Sequence, residues 1–310
     1  MSAVMNTLLS EPPAPATGTP PKKADTMTKA AESKPHVMVD ADGEPASNKT
    51  SWLRPFFLAV LPPLLGLALL VLVWQIVAAR NGGFPSPLTT LKEAMVVFAD
   101  PFYRNGPNDQ GIGWNILASL KRVAVGFGLA AAVGIPLGFL IGRFKFLSSM
   151  FNPIVSLLKP VSPLAWLPIG LLVFKAANPA AIWAIFICSI WPMIINTAVG
   201  VQRVPQDYMN VARVLNLSEW KILTKILFPS VLPYMLTGVR LAIGTAWLVI
   251  VAAEMLTGGV GIGFWVWDEW NNLNVPHIII AIVVIGVVGL LLEQALVALA
   301  TSFTYEEVRS

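Results

Sequence analysis

Three charged side chains interrupt long apolar segments of this sequence and are the residues best placed to do chemistry. Lys159 and Arg240 are cations, and Glu254 is an anion. A charge at membrane depth is costly unless it faces water, an opposite charge or a bound ion. The two cations could therefore offset the charge of an anion that has left bulk water. Glu254 could pair with a cation, and its simpler alternative role is to hold a helix end or a neighbouring helix.

Uncharged side chains in the same apolar segments could line a path beside these charges. They are Trp166, Asn196 and Trp247. Helical bundles also use aromatic residues and asparagine for packing and for hydrogen bonds between helices, which is the alternative role of these three.

Lys159 stands in a proline-rich segment, LKPVSPLAWLP at 158–168, where prolines remove backbone donors and break a helix. Broken backbone at membrane depth is tolerated where it is buried or lines a cavity, so we expect this segment to border a translocation path. The alternative is that residues 147–158 lie along the membrane surface and that Lys159 reaches the headgroups.

Motifs for covalent or nucleotide chemistry are missing from the sequence. It contains no GxxxxGK[ST] phosphate-binding loop and no GxSxG nucleophile motif. The glycine run at 258–263 does not fit the dinucleotide pattern and is expected to form an external turn. His36 and His277 stand apart from other metal-ligand residues, and Cys188 lies in an apolar run as a small hydrophobe. A membrane enzyme, the rival class, would be expected to show such a constellation.

The composition places the chain in a membrane, since 55% of its residues are hydrophobic and 12% are charged. Soluble domains carry about 25% charged residues. Apolar runs of about 20 residues cross a bilayer, and the sequence predicts six of them. The predicted spans are 55–79, 116–142, 147–174, 178–200, 231–256 and 277–301.

Residues 1–50 differ from the rest of the chain and are predicted to be a disordered tail, followed by a transmembrane domain over 51–310. The tail is rich in Pro, Ala, Ser, Thr and Lys and has no hydrophobic periodicity. Lys and Arg outside the spans favour a cytoplasmic tail, which also places the C terminus inside. This orientation leaves Lys121 and Arg122 on the external side, against the general trend. No basic stripe with interleaved aromatics indicates a nucleic-acid partner.

The second span carries small residues at every fourth position, at Gly126, Ala130, Gly134, Gly138 and Gly142. This spacing forms a smooth groove along one side of a helix, where another backbone can approach closely. The pattern predicts a compact bundle of several helices.

The loop 201–229 contains an amphipathic segment, Asp207 to Pro229, set between two apolar spans. It reads as two short helices joined at Asn216, a residue type that tolerates the left-handed conformation. Ser218 is suited to cap the second helix, which is expected to stop at Pro229. One face of the first helix is predicted to comprise Tyr208, Val211, Ala212 and Leu215. The alternative is an amphipathic helix lying on the membrane surface.

This segment resembles the cytoplasmic coupling loop of permease subunits of binding-protein-dependent ABC importers. The family pattern of Glu-Ala-Ala, a spaced Gly and a final Ile-x-Leu-Pro corresponds to Asn210-Val211-Ala212, Asn216 and Ile226 to Pro229. The resemblance extends over about 110–303 and includes SPLAWLPIGLLVF and GLLLEQAL. The residues that it assigns to contact with an ATPase are Asp207, Tyr208, Asn210, Val211, Ala212, Arg213, Leu215, Asn216, Leu217, Ser218 and Trp220.

The resemblance implies an all-α type I importer permease in a bacterial inner membrane, without a cofactor of its own. ATP and Mg²⁺ would be bound by two cytoplasmic ATPase subunits, an external binding protein would deliver the solute, and a second permease copy would complete the pore. The chain is most similar to the nitrate, nitrite, cyanate and bicarbonate branch, and nitrate is the expected substrate. Sulfonate or taurine permeases share several motifs and remain an alternative. A passive channel or a secondary transporter is the alternative of a different class.

Overall fold

The computed structural model describes the backbone of residues 53–307 and the side chains of residues 60–300. The predicted tail, 1–50, lies outside the described residues. The chain divides into two units, residues 1–64 and 65–310. Of the first, the structure describes the opening turns of one helix. The second contains all of the remaining elements considered below.

The described residues form eleven α-helices and one π-helical turn, with a single isolated bridge between Arg104 and Gln110 as their extended structure. The helices are α1 (Leu53–Arg80), α2 (Pro87–Val97), α3 (Ile112–Arg143), α4 (Lys145–Leu158), α5 (Pro163–Phe174), α6 (Ala177–Gln202), α7 (Gln206–Val214), α8 (Glu219–Ile222), α9 (Phe228–Thr257), α10 (Ile262–Asn271) and α11 (Val275–Glu307), and the π-helical turn is Leu223–Leu227.

The small-residue stripe of α3 packs directly on α6. A Cβ atom added at Gly126 would meet Ile185, and one added at Gly138 would lie 2.6 Å from Thr197 Cβ and 2.9 Å from Ile194 O. Only hydrogen at these positions lets the two backbones approach so closely. The contacts advance together along both helices, so α3 and α6 run parallel. The predicted close approach along this stripe is confirmed.

The connection between α3 and α6 settles the number of membrane crossings. Parallel neighbours begin at the same end of the bundle, and Arg122 Nε donates to Asn178 Oδ1 at 2.7 Å near both starts. The chain therefore has to cross back between them, through the α4–α5 pair. Five helices are long and apolar enough to span a bilayer alone, and α4 with α5 makes the sixth crossing. The predicted number of spans is confirmed.

The third crossing is not the single regular helix that a run over 147–174 suggests. Helix α4 ends at Leu158, α5 begins at Pro163, and the two axes meet at 100°. Their 14 and 12 residues rise roughly 21 and 18 Å at 1.5 Å per residue, so neither alone crosses about 30 Å of hydrocarbon. The break falls inside the predicted segment 158–168, where prolines prevent a continuous hydrogen-bond ladder.

Helix α9 runs antiparallel to both α6 and α11 and packs between them. Ser189 Oγ of α6 donates to Ala242 O, and Trp247 Nε1 of α9 donates to Ile285 O of α11. Completely buried Ile185 and Ile250 lie in the hydrophobic core between these helices. The bundle consequently has two ends, one carrying α7 and one carrying Glu254, to which we refer as the α7 end and the Glu254 end.

Candidate functional site

Helix α7 and the turn after it form a small, well-defined structure at the α7 end. Asn216 adopts φ 49°, the left-handed conformation predicted from its type. The amide of Leu217 donates to Ala212 O, and the amide of Asn216 donates to Arg213 O, both at 3.0 Å. This pair of bonds satisfies carbonyls at the end of α7 in a Schellman arrangement. Ser218 Oγ then accepts from the Lys221 amide at 3.4 Å, which confirms the predicted cap of the next helix.

The face predicted on α7 is divided by the structure. Tyr208, Val211 and Leu215 are exposed, whereas Ala212 has no exposed surface and belongs to an internal cluster with Val231 of α9. Ala212 therefore does not contact a partner, and its inclusion in the predicted contact surface is wrong. A methyl side chain is the group that fits there, because α7 lies close against the bundle.

The other predicted contact residues remain accessible, except that Leu217 is half-buried. Val214, which the sequence interpretation left out, is 85% exposed and is a more prominent apolar group than any predicted one on α7. Trp220 is 71% exposed on α8. The exposed members of the predicted set are Asp207, Tyr208, Asn210, Val211, Arg213, Leu215, Asn216, Ser218 and Trp220.

The second short helix does not stop at Pro229 as predicted. Helix α8 passes through the π-helical turn Leu223–Leu227 into α9, so that residues 219–257 form one helical stretch. Pro229 occupies the first turn of α9, where a missing amide hydrogen is tolerated. The amide of Phe228 bonds to Leu223 O across the wider turn. Only the turn at residues 215–218 therefore separates α7 from a helical stretch long enough to span the membrane.

A buried polar network lies at the Glu254 end. Glu254 is 1% exposed, and its carboxylate accepts from Ser119 Oγ at 2.7 and 2.8 Å, from Arg122 Nη1 at 2.6 Å and from the Gly263 amide at 3.0 Å. These contacts satisfy a charge that would be costly if buried alone. Glu254 thus pairs with a cation and also holds helix ends, and both roles proposed from sequence occur together.

The same network fixes the glycine run at 258–263, which is more than a surface turn. The Gly261 amide donates to Asn115 Oδ1, and the Ile262 amide donates to Ser119 Oγ, both at 2.9 Å. Arg122 Nη1 also donates to Val260 O at 2.7 Å. A Cβ atom at Gly261 would collide with the Glu254 carboxylate. The ends of α3, α9 and α10 are joined into one unit.

Sequence interpretation missed Asn115, Ser119 and Arg122, although a signal was present. Their spacing of four and three residues places three polar groups on one face of an apolar helix. The ion pair with Glu254 also explains how Arg122 is accommodated inside a predicted span. Helix α3 has 32 residues, roughly 48 Å, and the 30 Å of hydrocarbon counted back from Arg143 ends near residue 124. Helix α3 is therefore long enough to leave Lys121 and Arg122 outside the hydrocarbon if Arg143 marks its other edge.

The charged residues predicted along the path do not meet in a single site. Lys159 caps α4 at the bend toward α5, is exposed, and has no carboxylate partner among residues 60–300. Arg240 Nε donates to Glu293 Oε1 at 2.8 Å in an exposed ion pair. Glu254 lies 14 residues further along α9, roughly 21 Å away.

The uncharged path candidates are mainly parts of the packed bundle. Trp247 is 6% exposed, and its Nε1 donates to Ile285 O, so in this structure it packs between α9 and α11. Asn196 Nδ2 donates to Pro192 O at 2.8 Å within α6. Trp166 is half-buried on α5, and its Nε1 has no acceptor among the described residues.

His277 has neighbours that the sequence did not indicate. It stacks on Trp265 with ring centroids 5.7 Å apart, and its Nδ1 lies 3.1 Å from a Glu269 oxygen without hydrogen-bond geometry. Its Nε2 lies 3.9 Å from Glu93 Oε2 of α2. Within residues 60–300 these groups form no cluster able to hold a metal ion.

Comparison with solved structures identifies the fold. A chain of the MetNI methionine ABC transporter, in an inward-facing conformation, superposes with a TM-score of 0.51 at 15% sequence identity. The match covers 61% of this chain and 94% of that chain. The six crossings and the α7 segment therefore form an all-α type I importer permease fold.

Comparison with known sequences gives closer relatives. The nitrate import permease NrtB of Synechocystis sp. is 51% identical over 76% of this chain and 86% of that protein. NrtB of Leptolyngbya laminosa is 50% identical over 80% and 88%, and the bicarbonate permease CmpB of Synechocystis sp. is 46% identical over 76% and 86%. Residues 134–303 match the family model of binding-protein-dependent transport system inner membrane components. This chain belongs to that family of multi-pass membrane transport proteins.

Proposed function

We propose that this chain is the membrane permease of an ATP-driven importer and that its substrate is nitrate. The observation that carries the proposal is 51% identity with a nitrate import permease across most of both chains. A bicarbonate permease at 46% identity supports bicarbonate as the second candidate. Both ions are small and singly charged, so the permease would need few cationic or hydrogen-bonding groups to offset the loss of hydration.

The proposed partners follow from the two ends of the bundle. The exposed apolar groups of α7 and α8 would seat in a cytoplasmic ATPase subunit, which binds ATP and Mg²⁺ and carries out hydrolysis. A solute-binding protein would dock at the Glu254 end, outside the cell. A second copy of this chain would face the first across the path, with both termini on the cytoplasmic side.

The proposed mechanism is alternating access. Closure of two ATPase subunits would pull on α7, and the continuous helical stretch 219–257 would transmit the movement across the membrane. Buried hydrogen bonds from Ser119 and Arg122 to Glu254 would make α3 and α9 move as one body. The anion would pass near Lys159, which has no ion-pair partner among residues 60–300, and near the exposed Arg240.

The test is reconstitution of the chain in liposomes with its ATPase subunits and its binding protein. The rate of ATP hydrolysis is measured after addition of nitrate, cyanate, bicarbonate or an alkyl sulfonate. We expect nitrate to stimulate hydrolysis most. Stimulation by the sulfonate alone would contradict the assignment to this branch, and anion flux in liposomes without any ATPase subunit would instead support a channel or a secondary transporter.

A further inference from the structure

An apolar groove opens at the α7 end, between the last turns of α3 and the helical segment that joins α7 to α9. Its volume is about 700 Å³, within the range of about 300–1,000 Å³ for small-molecule sites. One wall is formed by Phe139 and Leu140, and the other by Leu223, Thr224 and Phe228. The groove is almost entirely apolar below its mouth.

The mouth of the groove carries a cation that is only partly satisfied. Arg143 Nη2 donates to the two Glu219 oxygens at 3.2 and 3.3 Å, and both residues line the groove. The Nε atom of Arg143 is buried and has no hydrogen-bond acceptor among the described residues. The Arg143 side chain is 32% exposed as a whole, but a shielded donor without an acceptor is costly, so a negatively charged ligand group beside Nε would satisfy it.

Arg143 has three further cations in its own segment and in the segment of Glu219. Lys145 follows it by two residues, and Lys221 and Lys225 lie in the opposite wall's segment, all three with exposed side chains. Glu219 is the acidic residue among them. The excess of positive charge favours an anionic ligand over a neutral or cationic one.

The depth of these groups matches the shape of a phospholipid. Arg143 is the last residue of membrane-spanning α3 and therefore lies at headgroup level. The apolar wall extends from there to Ile135, which is eight residues or roughly 12 Å deeper along the helix. Cations at the surface with an apolar channel beneath them fit a phosphate group followed by an acyl chain.

We propose that this groove binds one anionic phospholipid, with its phosphate at Arg143 and an acyl chain along the groove. Because one wall is the segment between α7 and α9, the bound lipid would fix that segment against α3. The proposal concerns the permease alone and is independent of the transported anion.

The test uses the purified, delipidated permease and equal amounts of phosphatidylglycerol and phosphatidylcholine in mixed micelles. The lipid retained is measured by native mass spectrometry, without ATPase, binding protein or anion, so its failure leaves the transport proposal untouched. We expect preferential retention of one phosphatidylglycerol. Arg143→Gln should lower that retention about fivefold, as expected for one cation at a membrane surface, while Lys121→Gln, with the same charge loss at the other end, should leave it unchanged.

Two further variants separate lipid binding from a purely structural ion pair. Glu219→Gln frees Arg143 and should raise phosphatidylglycerol retention, whereas loss of a structural pair would make it behave like Arg143→Gln. Thr224→Phe fills the groove without a change of charge and should lower retention. Equal retention of the two lipids, lower retention with Glu219→Gln, or unchanged retention with Thr224→Phe would each overturn the proposal.

Discussion

At the scale of single residues, Glu254 shows how a charge becomes acceptable in an apolar bundle. Three donors surround its carboxylate, the Ser119 hydroxyl, Arg122 Nη1 and the Gly263 amide, and one of them carries a full positive charge. Replacement of one partner of such a pair leaves the other charge buried and unpaired. Loss of one partner of this buried pair should therefore destabilise the permease several times more than loss of one partner of an exposed ion pair.

We expect Glu254→Ala to destabilise the permease by about 3–5 kcal/mol and Glu293→Ala to cost about 0–1 kcal/mol. The second variant is a matched control, because Glu293 also pairs with an arginine but its side chain is 43% exposed. The measurement is the temperature at which each purified protein loses its monodisperse peak in detergent. Similar midpoints for the two variants would show that the buried network contributes little.

Asn216 provides a second residue-scale prediction. Its φ of 49° is reached by glycine without strain, whereas branching at Cβ opposes it. We expect Asn216→Gly to keep full transport and Asn216→Val to lose stability at this turn by about 1–2 kcal/mol, with lower transport. Transport rates of the two variants in the reconstituted system provide the measurement. Equal rates would mean that the turn conformation does not affect coupling.

Residue-scale features were predictable where the cause is local. The turn at Asn216 and the Ser218 cap depend on the conformational preferences of a few neighbouring residues, and both were predicted correctly. The burial of Ala212 was not predicted. A helical repeat shows which residues share a face, but it does not show which part of that face another helix covers. The partner of Glu254 is 132 residues away in sequence, so its identity required the packed bundle.

At the scale of elements, the stripe of α3 determines how closely α6 approaches. We expect Gly138→Ala to destabilise the permease by about 1–3 kcal/mol, because the new methyl group would meet the Ile194 carbonyl and Thr197. Gly128→Ala is the control on the same helix, since no atom lies within 4 Å of its added Cβ. That change should be neutral or stabilising, because alanine favours helix. Thermal midpoints in detergent distinguish the two outcomes.

Helix α7 leads to a prediction about assembly. Val214 is 85% exposed and Ala212 is fully buried. A new charge should therefore affect partner binding at the first position and folding at the second. Val214→Asp should leave the permease folded but reduce co-purification of the ATPase subunits at least tenfold, as expected at the centre of an interface. Ala212→Asp should impair folding itself. Asn105→Asp adds the same charge in the loop before α3 and serves as the control.

Stoichiometric ATPase bound to folded Val214→Asp permease would contradict this account of α7. It would support the alternative in which the amphipathic segment rests on the membrane surface.

The element scale also shows what apolar runs predict and what they leave open. Span positions followed from lengths of about 20 residues, and the break in the third crossing followed from its prolines. The continuation of α8 into α9 could not be predicted in this way, because a proline after an amphipathic run usually marks the end of a helix. The π-helical turn accommodates Pro229, and no local sequence signal specified it.

At the scale of the whole molecule, the parallel pair α3 and α6 and the antiparallel α9 form a body with a rigid Glu254 end. The opposite end differs, because α7, α8 and the groove beside Arg143 lie there. Nearly all apolar side chains of α1 from Val60 onward are exposed within this chain, as is much of α5. These surfaces have to be covered by lipid or by a second permease copy in the membrane.

Lys159 is the residue that we expect to interact with the transported anion. It stands at the 100° bend between α4 and α5, exposed and without a carboxylate partner among residues 60–300, whereas Arg240 is paired with Glu293. An unpaired ammonium at a broken crossing can offset the charge of a passing anion, and one charged hydrogen bond contributes about 1.5–3 kcal/mol. We therefore expect Lys159→Met to lower nitrate transport about tenfold or more, with assembly and basal ATP hydrolysis intact.

Lys159→Arg should retain part of the transport activity, because the positive charge remains. Lys175→Met removes an exposed lysine from the opposite end of α5 and should transport normally. The measurement is uptake of nitrate into liposomes that contain the complete complex, with subunit content checked in each preparation. Unchanged uptake with Lys159→Met would exclude the lysine from the path and favour the interpretation in which it only reaches the headgroups at the membrane surface.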